Sequence, residues 1–83
     1  MKLQVLGSGS AEGQTLYEET RKALEFLGLA ATLEKVETAE GMSALRALAM
    51  PALVIDGRVQ VAGRIPTQAE LTNWITTAAL RTD

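Results

Sequence analysis

The sequence predicts an α/β fold of element order β-α-β-α-β-β-α, with a four-stranded mixed sheet and helices on both faces. Three observations carry this expectation. A short apolar run, Leu3 to Leu6, stops at Gly7-Ser8-Gly9-Ser10 and gives way to a segment of helical periodicity. Pro51 opens a second apolar run that meets Asp56-Gly57 and returns through Arg58-Val59-Gln60-Val61. Thr67 followed three residues later by Glu70 marks the start of a last helix.

Each element has its own reason. Leu3, Gln4, Val5 and Leu6 are too few for a helix, and the glycines after them favour a buried strand. From about Gln14 to Leu27, the residues Leu16, Thr20, Ala23, Leu24 and Leu27 recur at spacings of three and four and form one face. Glu18 and Lys22 are expected to pair on the outer face. Gly28 stands where a left-handed terminating residue is wanted, and Leu29 can make the apolar contact that accompanies it. Ala31 to Val36 read as a second strand. Leu33 and Val36 point to opposite faces, as a strand buried on both sides would tolerate. Thr38 caps a second helix over about Ala39 to Leu48, with Met42, Leu45 and Ala49 on its inner face. Gly41 weakens that helix by roughly 1 kcal/mol relative to alanine.

Pro51 ends the second helix, and Ala52-Leu53-Val54-Ile55 forms a compact strand. Asp56-Gly57 is a two-residue hairpin turn, because both central positions require positive φ. Arg58 to Val61 return in alternation, and Gly63 closes the hairpin. Leu71, Trp74, Ile75 and Ala78 give the last helix its apolar face, with Trp74 expected in the core. The tail Arg81-Thr82-Asp83 is expected to fray. The first three elements make a crossover unit with parallel strands, to which the hairpin adds two more. No linker or repeat interrupts the chain, so residues 1–83 read as a single domain.

Composition removes most chemistry. There is no cysteine and no histidine, hence no thiolate nucleophile, no disulfide staple and no imidazole base or ligand. A net charge of −2, from 8 basic and 10 acidic residues, argues against a nucleic-acid partner, which needs a basic stripe. Tyr17, Phe26 and Trp74 are too few to make a base-stacking platform. No apolar run approaches the length of a membrane span, and the first residues lack a leader's core and cleavage pattern, so a cytoplasmic location is the default. Glu12, Glu18 and Glu19 read as a solvated acidic edge complementing a helix dipole rather than a metal site. No metal and no cofactor are expected. Gly7, Gly9 and Gly13 lack the spacing of a dinucleotide-binding loop and read as a turn.

The element order and two stretches resemble the minimal thioredoxin fold, and within it the small redox-active disulfide protein 2 group of thioredoxin/glutaredoxin-like proteins. The first stretch is Lys2-Leu3-Gln4-Val5-Leu6-Gly7-Ser8-Gly9. The second is Met50-Pro51-Ala52-Leu53-Val54-Ile55-Asp56-Gly57, followed by Ala62-Gly63-Arg64-Ile65-Pro66. The resemblance covers Met1 to about Ile75. It implies thiol-disulfide oxidoreductase activity carried by a Cys-x-x-Cys pair at the start of the first helix. Here those four positions read Ser10-Ala11-Glu12-Gly13, and both cysteines are absent. It also implies a cis proline at Pro51, with the backbone before it pairing with an extended peptide. Met50 would then line a groove together with Ser10 and Gly13.

Ser10 holds a hydroxyl where a thiolate would stand. The chain has no histidine to deprotonate it, so Ser10 reads as a loop residue or helix cap rather than a catalytic group. The expected function is a non-redox binding or scaffold module for a protein or peptide partner, using Met50, Pro51, Ser10 and Gly13. The alternatives are a thiol-disulfide oxidoreductase by family membership, and a structural homo-oligomer joined through a sheet edge or the Ala-rich second helix. On this reading, cysteines placed at both Ser10 and Gly13 are expected to close a reversible disulfide.

Overall fold

A computed structural model of the chain describes residues 1–38, 40–41 and 49–81. Strand β1 (Lys2–Leu6) leads into helix α1 (Ala11–Leu27) and strand β2 (Thr32–Val36). Strands β3 (Ala52–Ile55) and β4 (Arg58–Ala62) then form the hairpin, and helix α2 (Gln68–Ala79) ends the fold. The helix expected over 39–48 lies outside the described residues except for Glu40 and Gly41, which are helical. Met42 and Leu45, and Thr82 and Asp83 of the tail, also lie outside them. Thr38 does cap: its Oγ1 accepts the Gly41 backbone N–H at 3.1 Å.

The four-stranded mixed sheet runs β2-β1-β3-β4. β1 pairs in parallel with β2, Lys2 opposite Thr32 and Leu6 opposite Val36. It pairs antiparallel with β3, Leu3 opposite Ile55 and Leu6 opposite Ala52. The two central strands carry the core. On one face Leu3, Val5, Leu53 and Ile55 meet Leu16, Ala23 and Leu24 of α1 and Leu71 and Ile75 of α2. Both described helices thus pack on this face. They are also tied by the Gln68 amide, which donates to the Glu19 carbonyl at 2.8 Å and to its carboxylate at 3.1 Å. Leu6, Ala52 and Val54 form a second buried cluster on the opposite face, with Val36 and Ala62 against it.

Several local expectations change in detail. β2 is an edge strand and only partly buried, although Leu33 and Val36 do reach opposite clusters. Glu18 pairs with Arg21 rather than Lys22, at 2.8 Å, and Lys22 pairs with Glu19 at 3.2 Å. The nearer i,i+3 partners win, and Arg21 also reaches Glu25. Trp74 packs against the core but stays partly exposed, while Leu71 and Ile75 supply the buried face of α2. In the hairpin, Val54 faces Val59 and Leu53 faces Val61, so Gln60 is an extra residue in β4. This bulge places Val59 and Val61 on opposite faces and leaves Val59 40% exposed, breaking the expected alternation.

The turn and the helix ends follow their residues. Asp56 and Gly57 have φ of 48° and 82°, as a two-residue hairpin turn needs. Gly28, at φ 67°, closes α1: its N–H donates to Glu25 O and that of Leu29 to Leu24 O. Among the described residues no helix is long and apolar enough to cross a membrane.

Candidate functional site

The site is assembled where β1 ends. Gly7 adopts φ 78°, which turns the chain out of the sheet. Ser10 then caps α1, so the helix begins three residues earlier than the periodicity suggests. Its Oγ accepts the Gly13 N–H at 3.0 Å and donates to the Gly7 carbonyl at 3.0 Å. Its carbonyl accepts the Gln14 N–H, also at 3.0 Å. The hydroxyl is therefore engaged on both sides as a structural clamp between loop and helix.

Gly13 is buried under this loop. A Cβ added to it would overlap the Gly7 carbonyl oxygen and lie 2.7 Å from the Ser8 Cα. No side chain fits without a backbone shift. Cysteines at Ser10 and Gly13 therefore cannot form the expected disulfide in this arrangement, and Gly13 offers no surface to a partner. Ala11 and Glu12 lie exposed in the first turn of α1.

Met50-Pro51 is a cis peptide bond. Pro51 is buried at the head of β3, and its carbonyl accepts the Gly63 N–H at 2.8 Å. Met50 stands against Gly7, where an added Cβ would be only 3.1 Å from the Met50 Cβ. The methionine is nonetheless 42% exposed. It forms one side of an open groove of about 430 Å³ lined by Gly7, Gly9, Ser10, Glu37 and Met50. The structure thus brings Ser10 and Met50 together across one groove, while Gly13 and Pro51 sit buried behind it.

Glu37 is the residue that sequence reasoning missed. Its Oε1 accepts a hydrogen bond from Ser8 Oγ at 2.9 Å, and Ser8 is only 2% exposed. The available signal was topological. In a parallel pair the loops leaving the carboxyl ends of adjacent strands share one edge, and ligand sites collect there. Gly7 follows Leu6, Glu37 follows Val36, and Leu6 and Val36 are paired.

The acidic edge behaves as a solvated helix face. Glu18 and Glu19 are taken up by Arg21 and Lys22. The Gln68 amide, with Lys22, holds the Glu19 carboxyl below its usual range. Among the described residues no group of acidic side chains is placed to hold a metal ion.

A β-α-β unit, a hairpin and a final helix, with the cis Met50–Pro51 bond placing Met50 against the loop that opens the first helix, define a thioredoxin-like protein. The chain belongs to the thioredoxin domain family, whose sequence profile matches residues 1–76. It is 32% identical over 71 residues to the thioredoxin of Methanothermobacter thermautotrophicus, a match spanning 86% of this chain and 92% of that protein.

Proposed function

We propose that this chain is a non-redox member of the thioredoxin domain family that holds an extended segment of a partner protein in the groove between Ser10 and Met50. One observation carries the reading. The groove stays open and lined with apolar surface from Met50, while the place for a second cysteine is filled by backbone contact at Gly13. Methionine suits an adaptable contact surface. Thiol–disulfide exchange requires a thiolate, and these 83 residues contain none. The Gly7-Ser8-Gly9 loop and the Met50-to-Gly57 stretch further support a place in the small redox-active disulfide protein 2 group, as a cysteine-free member.

Two measurements test this together. The purified protein should not accelerate the reduction of insulin by dithiothreitol over a protein-free control; acceleration would restore the oxidoreductase reading. In amide-resolved titrations with blocked extended pentapeptides, the signals of Gly7, Gly9, Ser10, Glu37 and Met50 should move first. Shifts confined to other surfaces would end the groove assignment.

A further inference from the structure

The charge of the groove says what kind of segment it would take. Of the described residues that line it only Glu37 is ionisable, and it is an acid. Among the described residues, two acids lie near it along the chain: Glu12 is exposed in the first turn of α1, and Glu40 is exposed three residues beyond Glu37. The neighbouring lysine of β2 does not offset them, because the Lys35 ammonium lies over the Tyr17 ring, 4.8 Å from its centre. The start of α1 contributes the opposite tendency, about half a positive charge. That half charge is smaller than one carboxylate. It is partly answered already by Glu12, and one of its donors, the Gly13 N–H, is bonded to Ser10.

Glu37 is also held in place. The buried Ser8 hydroxyl donates to one of its oxygens, which fixes the carboxylate at the groove wall. A carboxylate has about four acceptor positions, and this bond uses one. An anchored acceptor beside an exposed methionine matches a lysine or arginine side chain, whose apolar stem can lie along Met50 while its charged head reaches Glu37.

We infer that the groove selects partner segments carrying a basic side chain, with Glu37 as the residue that receives it. This rests on the peptide-groove reading above and adds a specificity to it. The test uses three blocked pentapeptides with serine ends, flanking valines and a central lysine, glutamine or glutamate. Their binding to the 83-residue protein and to its Glu37→Gln and Met50→Ala variants is followed by amide titration at low salt. The glutamine variant retains an acceptor for Ser8, so it removes charge without orphaning a buried hydroxyl.

The lysine peptide should bind about fivefold more tightly than the glutamine peptide, with the glutamate peptide weakest. That is the size of a partly exposed ion pair. The preference should vanish in Glu37→Gln and fade in about 0.5 M salt, where charges are screened, while Met50→Ala should weaken all three alike. Equal binding of the three at the groove, a preference that survives Glu37→Gln, or tightest binding by the glutamate peptide would overturn the inference and leave the groove reading standing. No binding of any peptide at millimolar concentration would overturn both.

Discussion

Gly13 and Gly7 are in direct backbone contact, so close that a Cβ on Gly13 would overlap the Gly7 carbonyl oxygen. A glycine inside a helix ordinarily costs about 1 kcal/mol relative to alanine. Here the contact reverses that sign. Gly13→Ala should destabilise the protein by about 1–3 kcal/mol, as overpacking does, despite the better helix former. Thermal unfolding checks this, and a raised midpoint would mean that α1 does not press on the loop. The doubly substituted Ser10→Cys, Gly13→Cys protein should keep two titratable thiols under mild oxidation; formation of a monomeric disulfide with unchanged stability would contradict the packing.

Ser10 should matter for stability rather than chemistry. Its hydroxyl both accepts from Gly13 and donates to Gly7. Ser10→Ala should cost about 1 kcal/mol, the usual value for a lost cap. Ser10→Asp, which can still accept from Gly13, should recover most of it. Denaturant midpoints of the three proteins give the order directly.

Glu70 predicts a response to acid. Arg64 grips its carboxylate through two contacts, at 3.0 and 2.7 Å, and the Thr67 backbone N–H adds a third at 3.0 Å. The Arg64 hydrogen bonds first, then the Thr67 N–H, lower its pKa from 4.5 to about 2. A lowered folded-state pKa stabilises above the unfolded value. The contribution is complete above about pH 4.5, declines as pH falls toward 2, and is absent below that. In urea titrations from neutral pH down into this window, Glu70→Gln should lose less stability than the parent protein. Parallel pH curves would show that this carboxylate is not linked to folding.

The hairpin turn should separate two neighbouring residues. Gly57 at φ 82° has no near neighbour where a Cβ would go, so Gly57→Ala isolates backbone conformation and should cost about 1–2 kcal/mol. Asp56→Asn should be nearly neutral. Asparagine tolerates positive φ and can still accept the Lys2 N–H, which Asp56 now accepts at 2.8 Å. Equal losses at both positions, measured by urea unfolding, would contradict this division.

The features legible in the sequence are those written locally. Asp56-Gly57, Gly28-Leu29 and Thr67 with Glu70 each satisfy a backbone requirement within a few residues, and each appears as expected. The features that are not legible depend on distant partners. Gly13 reads as loop because its helical role is set by Gly7 across the turn. Gln60 cannot be recognised as a bulge, since the shift shows only against Leu53 and Val54. Ser10 and Met50 are found through the family pattern. Glu37 escapes notice because its importance arises from the pairing of Leu6 with Val36.

The place of β1 has a consequence for how the chain is made. Of these four strands it leaves the ribosome first, yet it lies between β2 and β3, so Leu3 must wait for Leu33 and then for Ile55. At about 5–20 residues per second, the span from Leu3 to Ile55 takes roughly 3–10 s to synthesise. Until it ends, the edge of Leu3, Val5 and Leu6 that β3 will cover has no partner. The newborn domain is therefore most open to unwanted pairing at β1, until translation delivers the strand that begins with Ala52.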